Sequence, residues 1–227
     1  MKVLTVQNIK CETLGRLEGM LLQDGYDVEQ VDAREGSIPV SSEGYAGVII
    51  LGGPMAVYDN HDYLQLEQNL IRSSLKSGTA VLGICLGSQL VAQAAGGRVY
   101  RGIRKEIGWH RVKLTSQGNS DIFRGVNSRS INVFQWHGDT YELPDNAVIL
   151  ARNELYPQAF RIGSAVGIQF HLEVDKQMIM RWTDEYREEM NSEKIRVEEV
   201  LPKRGDEARL ESICRVAYRN FFASMSK

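Results

Sequence analysis

The sequence predicts an α/β protein of three layers, with a mostly parallel central sheet, helices on both faces, and an antiparallel extension of that sheet. Three observations carry this expectation. In the first half, short continuously apolar runs alternate with apolar stripes at helical spacing, the pattern of parallel strands buried on both faces. Several of those runs stop abruptly at small or polar residues. Beyond Gly97, strand-like runs follow one another with little helix between them.

Taken in order, Val3 to Val6 reads as the first strand, and Leu14, Leu17 and Leu21 as the stripe of a helix stopped by Gly25. Val28 to Val31 and Gly47 to Leu51 are the next two strands, the latter ending at Gly52-Gly53-Pro54. Leu64, Ile71 and Leu75 mark a helix closed by Gly78. Ala80 to Ile84 is a strand running straight into Cys85 and a short helix that ends at Gly96-Gly97. The antiparallel extension is assigned to Arg98–Arg101, His110–Leu114, Ile131–Trp136, Val148–Arg152 and Ala159–Ile162. Ala165 to Phe170 is again continuously apolar and ends at His171. Asp175 is placed to cap a helix bearing Ile179, Trp182 and Tyr186. The charge-rich stretch from Arg187 to Arg209, broken by Pro202 and Gly205, reads as a surface excursion before a closing helix with Leu210, Ile213, Cys214, Ala217 and Phe221 on one face. The expectation is one domain over residues 1–227, with a core to about residue 186 and a helical C-terminal extension over 187–227.

Composition narrows the function classes. A net charge of −2 offers no broad positive field for nucleic acid, and no apolar run reaches the roughly 20 residues of a membrane span. Three cysteines without paired spacing point to a reducing compartment, so cytoplasmic is the expected location.

In open α/β sheets, ligands bind beyond the carboxyl ends of the parallel strands. Four strands here end at Gln7-Asn8, Gly52-Gly53, Cys85 and His171, which places these residues on one edge. Gly83-Ile84-Cys85-Leu86-Gly87 has the G-x-nucleophile-x-G form of a sharp strand-to-helix turn. A cysteine there stands at a helix N-terminus, where the dipole favours thiolate, and the Leu86 amide faces a developing oxyanion. A buried core cysteine is the competing reading, which the two bracketing glycines disfavour. In His171-Leu172-Glu173 the first and third side chains share one side of an extended backbone, so the carboxylate can orient the imidazole. Alone, that pair is an ordinary strand end; with Cys85 it reads as catalytic. Cys214 lies on an apolar stripe and Cys11 lacks an evident partner. Among the other histidines, His110 reads as a packed strand residue, His61 as a helix entry, and His137 as a pocket residue and not the base. No C-x-x-C or H-x-x-x-H spacing supports zinc, and no dinucleotide or P-loop fingerprint is present, so no metal and no cofactor are expected.

With those residues in place, the chain resembles the class I glutamine amidotransferase family, especially the glutaminase domain of GMP synthetase and its free-standing relatives. The segments IILGGPMAVYD, AVLGICLGSQLVAQAAGGRV, KEIGWHRVKLT, FQWHGDTYELP and AVGIQFHLEV carry the resemblance, from Val3 to about Tyr186. It implies a flavodoxin-like sheet of the family's type and a triad of Cys85, His171 and Glu173. It further implies an oxyanion hole from the amides of Gly53 and Leu86, and substrate contacts from Gly52, Gln89, Trp136 and Gly138. The implied substrate is L-glutamine, attacked at its side-chain amide to give a γ-glutamyl thioester and ammonia. A γ-glutamyl peptidase using the same triad is the alternative, and a non-catalytic regulatory subunit a third. No S-G-G-x-D-S loop of an ATP pyrophosphatase domain occurs, so the resemblance places any ammonia-accepting synthetase on another chain.

Overall fold

The computed structural model describes residues 1–223; the last four residues of the expected C-terminal extension lie outside them. Strands β1 (Lys2–Gln7), β2 (Asp27–Asp32), β3 (Tyr45–Ile50), β4 (Ala80–Ile84), β5 (Arg98–Leu114), β6 (Ser130–Glu142), β7 (Val148–Arg152), β8 (Pro157–Ile162) and β9 (Ala165–Ile168) form one sheet. Its order is β2-β1-β3-β4-β9-β8-β7-β5-β6. The first five positions in that order are parallel, and the remainder is the antiparallel extension.

The apolar runs explain the layers. In β1, β3 and β4 successive side chains fall to opposite faces, so Val3, Ile49 and Leu82 join one core cluster while Leu4, Val48, Ile50 and Val81 join the other. The first cluster is covered by α1 (Arg16–Gln23), α5 (Lys176–Glu185) and α8 (Asp206–Phe222), through Leu17, Leu21, Trp182, Leu210, Cys214 and Phe221. The second is covered by α2 (Asp62–Ser77) and α3 (Leu86–Ala94), through Leu64, Ile71, Leu90 and Val91. Asp175 caps α5 by accepting from the Met178 amide at 2.7 Å, and Gly78 closes α2 in the left-handed conformation at φ 77°.

Two expectations are corrected. The segments 98–101 and 110–114 are not separate strands but the ends of β5, which pairs with β6 throughout except for an irregularity between Arg101 and Glu106. The charge-rich stretch after Arg187 is not a surface excursion. It forms α6 (Arg187–Ser192) and α7 (Val197–Val200), which insert Met190 and Val200 into the core, and the Val200 carbonyl accepts from Trp109 Nε1 at 3.0 Å. A few apolar anchors among many charges are enough to dock such a segment. A short helix α4 (Ser116–Ser120), capped by Thr115, joins β5 to β6. Among the described residues no helix is long and apolar enough to cross a membrane.

Candidate active site

Cys85 occupies the last turn between β4 and α3, and its backbone is forced there: φ 52°, ψ −109°. Only one other described non-glycine residue, Lys194, has positive φ. A side chain held in this region carries strain, and the neighbouring structure must impose it. The imposition is visible. The Cys85 amide donates to the Ile168 carbonyl of β9 at 2.8 Å, and the Cys85 carbonyl accepts from the Ser88 amide, 3.0 Å, and the Ser88 hydroxyl, 2.7 Å. A Cβ on Gly83 would strike the Gly87 carbonyl, and one on Gly87 would strike the Ile50 carbonyl of β3. Both glycines of the turn are therefore steric requirements, as the sequence pattern predicted.

His171 follows β9 and is tied to β6 by its amide, which donates to the Phe134 carbonyl at 2.8 Å. Its Nδ1 lies 2.6 Å from Glu173 Oε1, while Glu173 Oε2 accepts from the Leu172 amide at 3.0 Å. Both residues are buried, and the edge of Trp182 meets the imidazole at 4.7 Å between centroids. His171 Nε2 is buried without a hydrogen-bond partner. Burial alone would lower the imidazole pKa, yet the Glu173 charge and the contacts with Glu173 and Cys85 outweigh it and raise it well above the usual range.

The thiol departs from expectation. Burial pushes the Cys85 thiol up, and the opposing pull of His171 and the Leu86 amide does not reverse it. Cys85 is 5% exposed and lines a cavity of about 400 Å³. Its Sγ lies 3.6 Å from the Trp136 carbonyl.

That cavity also collects Gly53, Gln89, Trp136 and Gly138. Gly52 lies behind it, its Cα turned toward Glu12 and the Cys85 side chain. Leu86 is the first residue of α3 and is buried, its amide directed at Cys85. Gln89 Nε2 is spent on the Asp139 carbonyl, 3.2 Å, and Gln169 Oε1, 3.3 Å. Trp136 Nε1 donates to Glu189 at 2.8 Å. His137 lines the cavity as expected, with Nδ1 on the Asp139 carbonyl at 2.9 Å and Nε2 3.3 Å from Glu106. His110, His61 and Cys214 stand apart from it, and Cys11 meets the Tyr186 hydroxyl at 3.5 Å. Among the described residues no cluster of three or more His, Cys, Asp or Glu could hold a metal ion.

Several lining residues carried no sequence signal: Glu12, Arg101, Lys105, Tyr186 and Glu189. Tyr186 gives its hydroxyl to Glu12 at 2.7 Å, and Lys105 pairs with Glu189 at 2.6 Å. Through Glu189, held by Lys105 and by Trp136 Nε1, the supposedly peripheral C-terminal segment enters the wall of the cavity.

The family model for "Glutamine amidotransferase class-I" matches residues 16–179. Among solved structures, a glutamine amidotransferase from Thermotoga maritima is 34% identical, with 98% of each chain covered and a TM-score of 0.89. Among curated proteins, the glutamine amidotransferase-like protein YfeJ of Salmonella typhimurium is 31% identical over 60% of each chain. The GMP synthase of Azoarcus sp. is 32% identical over 61% of this chain and 28% of its own. The chain thus spans less than two thirds of these curated relatives' length.

Proposed function

The chain belongs to the class I glutamine amidotransferase family, and from that premise we propose that it hydrolyses the side-chain amide of L-glutamine through a thioester on Cys85. Cys85 Sγ is the nucleophile. His171 Nε2, free of other partners, takes the thiol proton as attack begins. Glu173 fixes Nδ1 as the protonated nitrogen, leaves Nε2 to accept, and stabilises the imidazolium once the thiol proton has been taken. Because burial holds the resting thiol neutral, the nucleophile is activated by this transfer and not stored as thiolate. The Leu86 and Gly53 amides are the proposed oxyanion donors, each worth roughly 2.7–4 kcal/mol by analogy with other hydrolases. Gln89, Trp136, Gly138 and Gly52 shape the acyl side of the site, and a separate synthetase subunit is the proposed ammonia acceptor.

The observation that supports this reading most is the strained Cys85 turn beside a buried His171–Glu173 pair with one imidazole nitrogen unused. The test is to measure ammonia and amine release from glutamine and a panel of γ-glutamyl peptides. Glutamine is expected to be the preferred substrate, with Cys85→Ala inert on all of them. A kcat/KM at least tenfold higher on a peptide, about 1.4 kcal/mol of transition-state preference, would replace glutaminase by γ-glutamyl peptidase.

A further inference from the structure

The segment beyond residue 179, which the family model does not match, supplies part of the cavity wall. Tyr186, where α5 meets α6, and Glu189 within α6 both line it. Their side of the cavity is the His171 side. Trp182 sets its edge against the imidazole, and Tyr186 packs on Trp182 and Trp136 at 6.5 and 5.5 Å between centroids. The Tyr186 hydroxyl donates to Glu12, a carboxyl on which the charge of His171 also acts. A second group, Gln89, Tyr58 and Arg101, gathers around Asp139. Arg101 is exposed and, among the described residues, has no ion pair. An unspent cation suits the zwitterionic end of a glutamyl group, which leaves the departing amine on the side of His171 and the α6 wall.

The charges of that wall are already engaged with one another. Glu189 Oε1 accepts from Lys105 Nζ at 2.6 Å, and Oε2 accepts from Trp136 Nε1 at 2.8 Å. Glu193, four residues on, adds a contact to Lys105 at 3.5 Å. Burial lowers the Lys105 pKa, but the two carboxylates outweigh it and raise it, so the ammonium persists. The Lys105 stem lies along Gly138, where a Cβ would meet its Cγ at 3.3 Å. Trp136 spans the way to the nucleophile, its carbonyl 3.6 Å from Cys85 Sγ. Lys105 therefore stands in the cavity with its charge held by a carboxylate of its own chain.

We propose that Glu189 is a specificity-determining residue that disfavours γ-glutamyl substrates whose leaving group bears a carboxylate, as γ-glutamyl amino acids do. This rests on the thioester reading above. An amino-acid leaving group brings its carboxylate to the wall where Lys105 would otherwise receive it. Glu189 occupies that ammonium and adds a negative charge beside it, so the anion meets repulsion in place of a partner. Ammonia and neutral amines carry no such charge and are indifferent to it. The side chains of Lys105 and Glu189 are 27% and 31% exposed, so solvent screens the pair and the discrimination is modest.

The test compares γ-glutamylglycine with γ-glutamylglycinamide, whose leaving groups are alike in size and differ in charge. Glu189→Gln keeps an acceptor for Trp136 Nε1 and releases Lys105. It is expected to raise the ratio of kcat/KM values, acid over amide, by at least about fivefold. Adding Lys105→Gln is expected to cancel the gain. Where turnover is too slow to measure, the same ratio is read from inhibition constants against glutamine. If Glu189→Gln fails to show a cooperative melt, Glu189→Asn carries the same criterion. A change of less than about fivefold, a gain that survives Lys105→Gln, or neither turnover of nor inhibition by either peptide would overturn the assignment of Glu189 alone. A wild-type protein inert on glutamine and on both peptides would instead overturn the thioester reading, and this one with it.

Discussion

Replacing Glu67 by Gln should change the pH dependence of stability in a direction fixed by the structure. Glu67 lies on α2, fully buried under the glycine loop that borders the active site. Its Oε2 accepts from Asn8 Nδ2 at 3.3 Å; the same nitrogen donates to the Leu51 carbonyl at 3.2 Å, one residue before Gly52. Oε1 has no partner. Burial pushes this carboxyl up to about 8 from 4.5. The sign follows from proton counting. Between those values the native state keeps a proton that the unfolded chain has lost, so stability is fully present below 4.5 and falls as pH rises to about 8. At about 1.36 kcal/mol per pH unit, the whole interval is worth up to roughly 5 kcal/mol. Glutamine keeps an oxygen for Asn8 and carries no charge, so the variant lacks this slope. Urea denaturation of both proteins at several values between about pH 5 and about pH 8 should show the variant gaining on wild type by at least about 2 kcal/mol across the range. A stability difference independent of pH would refute a neutral Glu67 and the burial argument behind it.

Glu173→Gln should lower kcat on glutamine by roughly 1,000- to 10,000-fold, because its amide nitrogen turned to Nδ1 selects the tautomer whose Nε2 cannot accept the thiol proton; kcat within about tenfold of wild type would mean that another group orients His171. Gly87→Ala places a methyl against the Ile50 carbonyl, so it is expected to lose about 1–3 kcal/mol in thermal or urea unfolding and most activity. Unchanged stability and turnover would show that the turn is not sterically enforced. Cys214→Ala should retain activity and lose only about 1 kcal/mol, since this thiol is packed on α8 within the core; direct loss of catalysis would reverse the sorting of the cysteines.

The β1–β4 half was readable because parallel strands buried on both faces, as β1, β3 and β4 are, leave continuous apolar runs, and the runs of β3 and β4 ended where the chain meets the site. The Cys85 turn was readable for a steric reason: its two glycines are required by contacts a sequence pattern encodes. His171 and Glu173 needed only the two-residue spacing of an extended backbone. The thiol's raised pKa was not readable, since burial of Cys85 depends on how Trp136 and α3 close around it. Glu12 was invisible for a related reason. In Lys10-Cys11-Glu12-Thr13 it looks like an ordinary polar loop, and only Tyr186, arriving from 174 positions later, turns it into a buried acid. Glu189 was hidden in the same way, in a charge-rich run whose few apolar residues proved sufficient to dock it. Gly53 and Leu86 were placed by the resemblance and Gln89 likewise, and the hydrogen bonds that occupy Gln89 Nε2 could not be read from spacing.

The central claim is a covalent γ-glutamyl thioester on Cys85, and trapping that species tests it most directly. Protein mixed with glutamine, quenched in acid during turnover and analysed by intact and peptide mass spectrometry, should carry one γ-glutamyl group, mapped to the peptide containing Cys85 and absent from Cys85→Ala. Ammonia release with no adduct on that peptide, or an adduct on Cys11 or Cys214, would contradict it.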